Sequence, residues 1–234
     1  MTVISLGATR SSHNWQAMPG NWDRLNTRAL YPSSNDLGIP DLPYVDTVPS
    51  RLVAYNARHQ IDTAKPGDCV HFFLDDYRFE VAWSMPLRGL KRPVRVGLSL
   101  TPDFSLWTEM PMVMQQWNVY RSRWCGMWLH QAGAVVIPTI SWSTPASYDF
   151  AFLGIPEGST VAISTVGVTK ASYGLFIDGV NAMRSTIRPK AILVYGRELP
   201  RLDTASQYAD VIYYPYRQQG NYMEIGRASC RERV

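Results

Sequence analysis

The sequence predicts an α/β protein of parallel βα units, arranged as an incomplete or distorted TIM-like barrel, with an open doubly wound sheet as the alternative. Three observations predict this class. Short, largely apolar runs recur along the chain, and such runs are typical of strands buried on both faces of a parallel sheet. Helical stretches separate them from residue 67 onward. Parallel strands joined by right-handed crossovers can generate either architecture.

Six segments are predicted as strands, because short apolar runs alternate with helical stretches from residue 67 onward. They are Val70–Leu74, Val94–Leu100, Ala134–Ile140, Thr160–Ser164, Ala191–Tyr195 and Val211–Tyr214. A further short element, either helix or strand, is predicted near Leu52–Tyr55.

Helices are predicted between these strands. Pro111–Gln131 is the clearest, since proline suits the first turn of a helix and Gly133 suits a helix stop. Ser172–Ile187 is a second helix and Leu202–Tyr208 a short third, while Pro86–Leu90 has the pattern of a single turn.

The chain divides by composition into three parts. Residues 11 to about 66 are rich in Pro, Asn, Ser and Asp, which predicts an irregular N-terminal wrap over residues 1–66, anchored by Trp15 and Trp22. Residues 67–223 form the α/β domain. Residues 224–234 resemble the in-frame translation of a sequencing adapter, which predicts an artefactual tail and a gene assembled from a metagenome.

Composition limits the classes of function. Hydrophobic residues make up 46% of the chain, yet no run of about 18 apolar residues occurs, so we expect a globular cytoplasmic protein without a membrane segment. The three cysteines lack zinc-site spacing. No glycine-rich phosphate loop follows any strand, which disfavours dinucleotide and NTP binding of those types.

Charge is modest. The formal net charge is +4, and 19 of the 23 basic residues are arginine. This bias suits bidentate binding of phosphate or carboxylate, but GC-rich coding DNA would produce it equally well.

Acidic residues follow the first two predicted strands. Asp75 and Asp76 come after Val70–Leu74, and Asp103 follows the second strand. Because the carboxyl ends of parallel strands meet at one edge of the sheet, we expect Asp75 or Asp76 to face Asp103 across a pocket. Such carboxylates can bind a divalent cation. Alternatively, two carboxylates in different environments can act as a general acid and a general base.

Later strand ends add candidate ligand-binding residues. Trp142, Arg197 and Tyr214 follow or end the third, fifth and sixth predicted strands. We expect them to line the same rim, with Arg197 holding an anionic group. His71 lies within a strand beside Phe72 and is expected to be a hydrogen-bonded core histidine.

One face of the long helix combines tryptophans with an arginine. Trp117, Arg121, Trp124 and Trp128 have the spacing i, i+4, i+7 and i+11. This face either packs on the sheet, with Arg121 stacked on indoles and tied to a carboxylate, or presents Arg121 as a ligand-binding cation. Arg123 points elsewhere and is expected to be solvated.

Five segments together resemble the family catalogued as domain of unknown function 4417, found in bacteria, phages and mobile elements. They are His71-Phe-Phe-Leu-Asp-Asp-Tyr-Arg-Phe-Glu, Thr101-Pro-Asp-Phe-Ser, Asn118-Val-Tyr-Arg-Ser-Arg-Trp, Val136-Ile-Pro-Thr-Ile-Ser-Trp and Val194-Tyr-Gly. The resemblance covers about residues 50 to 220. It implies a single-domain protein of a phage or mobile element, and it transfers no catalytic residue.

Two functional hypotheses stay open. The first is an enzyme whose carboxylate and arginine site at the strand ends acts on a phosphate-containing or other anionic substrate, with a divalent cation as the cofactor that the acids suggest. The second is a non-catalytic accessory protein that binds nucleic acid or a host protein. A structural component of a mobile element is a third, weaker alternative. Oligomeric state is not predicted.

Overall fold

Seven strands form the centre of the computed structural model, which describes residues 25–27, 29–200, 202 and 209–216. Contacts divide the chain into residues 1–30 and 31–234, and all strands lie in the second unit. They are β1 Arg51–Ala54, β2 Asp68–His71, β3 Leu98–Leu100, β4 Val135–Ile137, β5 Val161–Ser164, β6 Ala191–Tyr195 and β7 Asp210–Tyr214.

Seven α-helices are assigned in the same part of the chain. They are α1 Arg58–Asp62, α2 Val81–Ser84, α3 Pro86–Gly89, α4 Lys91–Val96, α5 Met112–Gln131, α6 Tyr148–Ala151 and α7 Tyr173–Ile187. Within the described part of the chain, no helix is both long and apolar enough to span a bilayer.

The strands are parallel and lie in two sheets. The first has the order β1-β2-β3-β4 and the second β5-β6-β7. A single parallel bridge joins Thr139, just after β4, to Ala162 of β5. The predicted α/β class with a parallel sheet is confirmed. The predicted barrel is not confirmed, since no barrel is closed and no ladder among the described residues joins β7 to β1.

Strand burial explains which predictions succeeded. All five residues of β6 are buried, and its bounds are those predicted from its apolar run. The prediction of a strand over Val94–Leu100 was wrong in its first half, because Lys91–Val96 form α4. Exposed cations alternate with apolar residues there, and Gly97 ends the helix in the left-handed conformation, with φ of 83°.

The N-terminal region is only partly irregular. Residues 31–50 contain no helix or strand, as predicted, whereas β1 and α1 follow within the segment predicted to wrap the domain. The domain boundary at residue 66 stays a prediction. Trp15, Trp22, residues 203–208 of the predicted third helix and the adapter-like tail lie outside the described residues.

One apolar cluster draws on every strand. It includes Leu52, Cys69, Leu100, Ile137, Ala162, Leu193 and Ile212, together with Tyr195 and Tyr214. A second cluster lies against α7 and contains Trp142 and Phe176. Burying strand side chains from both sheets in one cluster is what places their carboxyl ends side by side.

Helix α5 packs closely on the first sheet. Pro111 stands at its N-cap and not in the first turn, and Gly133 follows its end with φ of 92°, as expected for a helix stop. A Cβ added at Gly126 would lie 2.7 Å from Cγ2 of Thr101, so the absence of a side chain allows the close approach of helix and strand end.

Candidate functional site

A narrow cavity lies at the carboxyl ends of β3, β4 and β5. The Ser141 hydroxyl donates to a carboxylate oxygen of Asp103 at 2.5 Å. Asp103 is 7% exposed and lines the cavity with Ser105, Ser141 and Ser164. The volume is about 30 Å³, which holds one water molecule. A buried carboxylate that accepts from a serine hydroxyl can orient a small polar group and accept its proton.

Asp76 reaches the same segment through Ser105. The Ser105 hydroxyl donates to Asp76 at 2.7 Å and the Ser105 N–H donates at 3.1 Å. The loops that follow β2 and β3 are thereby tied together, and Asp76 holds a serine that lines the cavity beside Asp103.

Asp75 points to a different partner. Its carboxylate accepts from Nε of Arg78 at 3.2 Å, and about a third of each side chain is exposed. Among the residues that the structure describes, no three His, Cys, Asp or Glu side chains are placed to hold a metal ion. The three carboxylates have different partners, namely Arg78 for Asp75, Ser105 for Asp76 and Ser141 for Asp103. The metal set of Asp75, Asp76 and Asp103 stays a prediction.

Arg121 is held by the protein itself. Its Nη1 donates to both oxygens of Glu80 at 2.9 and 3.0 Å, and its Nη2 donates to Oδ1 of Asn118 at 2.6 Å. The guanidinium lies 3.9 Å from the ring centre of Phe104. This arrangement agrees with the packed, carboxylate-bound alternative, although the stacked ring belongs to Phe104 and not to an indole.

The later candidates do not line one pocket, since Trp142 lines the cavity at Asp103 and Tyr214 lines a different cleft. Trp142 lines the cavity, but its indole packs on Gly179, where an added Cβ would lie 2.0 Å from Nε1. Arg197 donates to the carbonyl of Val168 at 2.7 Å. Tyr214 donates to the carbonyl of Pro49 at 2.5 Å, and burial raises its pKa to about 12.

Arg123 is buried, so the prediction that it is solvated was wrong. Its guanidinium donates to the carbonyls of Leu153, Thr139 and Ala151 at 3.2, 3.0 and 2.9 Å. Burial lowers its pKa to about 10. These carbonyls end or follow elements far away in sequence, so no local pattern could have identified the residue.

Exposed cations gather on three short helices. Arg58 lies on α1, Arg88 on α3, and Lys91, Arg92 and Arg95 on α4, and all five are exposed. Helix α4 packs against both α1 and α3. We call these five side chains the basic face.

Only one acidic residue within these helices offsets the basic face. Asp62 pairs with Arg95 and, at 3.5 Å, with Arg92. Arg58, Arg88 and Lys91 form no ion pair with any residue in the described ranges. Burial raises the pKa of Tyr55, and the charges of Arg92, Arg58 and Arg88 oppose that rise.

Together these features define a parallel α/β domain with carboxylates at its strand ends and a separate basic face. The chain belongs to the family described as Domain of unknown function (DUF4417), whose model matches residues 31–215. It is 52% identical over 192 residues to the Gene 1 protein of Mycobacterium phage L5, covering 81% of this chain and 84% of that protein. It is 50% identical over 192 residues to the Gene 1 protein of Mycobacterium phage D29, covering 81% of this chain and 71% of that protein. No solved structure matches.

Proposed function

We propose that this phage protein is a nucleic-acid-binding accessory protein of the host cytoplasm that contacts the phosphate backbone through the basic face. The observation that carries the proposal is the grouping of five exposed cations against Asp62 alone. Arginine and lysine at a helical surface bind phosphates and displace condensed counterions, whatever the base sequence. The face carries no exposed aromatic platform of its own, so duplex DNA is the expected ligand.

Binding to duplex DNA should depend steeply on salt. With three to four phosphates contacted, the slope of log K against log salt is expected to be about −3, so affinity falls about 60-fold between 50 and 200 mM salt. Fluorescence anisotropy of a labelled duplex of roughly 20 base pairs measures this.

Two matched triple variants test the location. R58Q/R88Q/K91Q removes the unpaired cations of the basic face, and K170Q/R188Q/K190Q removes three exposed cations elsewhere. The first variant should lose most of the salt slope and bind at least about tenfold more weakly at 50 mM salt, whereas the second should retain the slope. Equal losses in both variants, or no DNA binding by the unsubstituted protein, would overturn the proposal.

A second candidate function is acid–base catalysis at the strand-end rim, favoured by the buried pair of Asp103 and Ser141. Asp103 would act as the proton-accepting group towards a phosphate-containing or other small anionic substrate. The arginines predicted to hold such a substrate, Arg121 and Arg197, have protein partners, which makes this the weaker candidate.

Hydrolysis of 4-nitrophenyl phosphate measures the second candidate. D103N is expected to lower the rate at least about 100-fold, because the carboxylate can no longer accept a proton. D149N, which changes an exposed aspartate on α6, is the control. A rate in D103N equal to that of the unsubstituted protein would rule out the role.

The seven strands are also proposed to form an incomplete barrel. Three features support this arrangement: the sequential strand order within each sheet, the bridge from Thr139 to Ala162, and the apolar cluster that draws on all seven strands. In such a barrel the strand carboxyl ends form one rim.

A further inference from the structure

A cleft of about 340 Å³ separates β1 from β7. Residues 48–52 and Ala54 line one side, residues 212–215 line the other, and His71, Tyr195 and Gln60 complete the lining. The volume lies in the range of small-molecule sites. The cleft shares no lining residue with the cavity at Asp103 or with the basic face.

His71 contributes an unpaired donor to this cleft. The ring is only 2% exposed, and its Nδ1 accepts from the Phe73 N–H at 3.2 Å. In a neutral imidazole the proton then resides on Nε2. No acceptor for Nε2–H is found among residues 25–27, 29–200, 202 and 209–216. His71 lines the cleft, so an acceptor on a bound molecule can take the hydrogen bond that water would otherwise make to Nε2–H.

Among the described residues that line the cleft, Arg51 is the one cation, and it is paired. The carboxylate of Asp68 accepts hydrogen bonds from its Nε at 3.0 Å and its Nη2 at 2.5 Å. Burial lowers the pKa of His71 to about 3, so the imidazole is uncharged near pH 7. An ionic ligand would therefore lose hydration without gaining a counterion.

Aromatic rings supply the walls. The centre of the Tyr195 ring lies 4.4 Å from the centre of the His71 ring. Tyr213 and Tyr214, on β7, line the cleft as well. The Tyr214 hydroxyl donates to Pro49 across the gap between β7 and the segment before β1. Flat walls of this kind bind planar rings through stacking and apolar contact.

We propose that the cleft binds an uncharged planar heteroaromatic molecule of nucleoside size, whose ring oxygen or nitrogen accepts from Nε2–H of His71. The cleft volume sets the size of the ligand, and the pairing of Arg51 with Asp68 requires the ligand to be uncharged. The tyrosine walls favour a planar ring, and the unpaired Nε2–H of His71 requires an acceptor on it. This site is independent of the basic face.

Titration of the full-length protein with uridine, thymidine, adenosine and guanosine tests the proposal by calorimetry. At least one nucleoside is expected to bind with a Kd between about 10 μM and 1 mM. Because the contacts are uncharged, affinity should change less than about twofold between 50 and 200 mM salt, unlike DNA binding at the basic face. The failure of one proposal is thus distinguishable from the failure of the other.

Three variants locate the site. H71F keeps a ring but removes the donor, and should raise the Kd about tenfold. H71Q retains an N–H near the position of Nε2 and should recover part of the affinity, while H130F changes an exposed histidine and should have no effect. Thermal melts establish that each variant is folded. The proposal is overturned if no nucleoside binds at up to about 5 mM, or if H71F and H71Q, once folded, both bind as the unsubstituted protein does.

Discussion

Replacing Arg123 with methionine is expected to lower the free energy of unfolding by about 3–5 kcal/mol. Methionine has a similar length, so little packing volume is lost. The guanidinium, however, donates to three carbonyls: that of Thr139, just after β4, and those of Ala151 and Leu153, at the end of α6 and just after it. Removing it leaves three carbonyls short of a donor in a buried site.

Urea unfolding followed by tryptophan fluorescence measures this loss. Arg123→Lys keeps the charge but offers no planar fork of donors, so it should recover less than half of the stability. Arg78→Met is the matched control, because Arg78 is exposed and its ion pair with Asp75 lies at the surface; a change below about 1 kcal/mol is expected. An R123M variant within about 1 kcal/mol of the unsubstituted protein would show that the buried hydrogen bonds contribute little.

Strands could be predicted from the sequence where every residue of the strand is apolar and buried. Ala191–Tyr195 is apolar throughout and buried on both faces, so its composition fixes both its class and its bounds. At Val94–Val96 the apolar residues alternate with Pro93 and Arg95, and that local pattern fits a strand as well as a short helix. Helix α4 prevails because it packs against β2 and β3, a contact that no local window contains.

The candidate site was predictable in position but not in pairing. Asp76 and Asp103 do follow strands whose ends come together, since parallel topology requires it. Their hydrogen-bond partners cannot be inferred from spacing, because Ser141 lies 38 positions from Asp103 and Ser105 lies 29 positions from Asp76. The same holds for Arg121, whose carboxylate partner Glu80 lies 41 positions away.

His71 shows how one buried group links the fold to pH. The sequence predicted a core histidine with satisfied hydrogen bonds, and the structure buries it but pairs only Nδ1. Burial lowers its pKa from 6.5 to about 3 in the folded protein. Between these two values the unfolded chain binds a proton on His71 that the folded chain does not, so acid favours unfolding throughout this window.

Stability should therefore fall as the pH drops from 6.5 to 4.5, by about 2.5 kcal/mol from His71 alone, since each unit of pH contributes up to about 1.4 kcal/mol. Other groups titrate in the same range, so the comparison with H71F is the measurement: urea unfolding at each pH should give two curves that diverge below pH 6.5, with H71F the less acid-sensitive. H130F, which changes an exposed histidine, should follow the unsubstituted protein.

Parallel curves for H71F and the unsubstituted protein would mean that the folded chain accommodates a proton on His71. A charged imidazole in the cleft would then be available to anions, and the ligand expected there would change from a neutral ring to an acid.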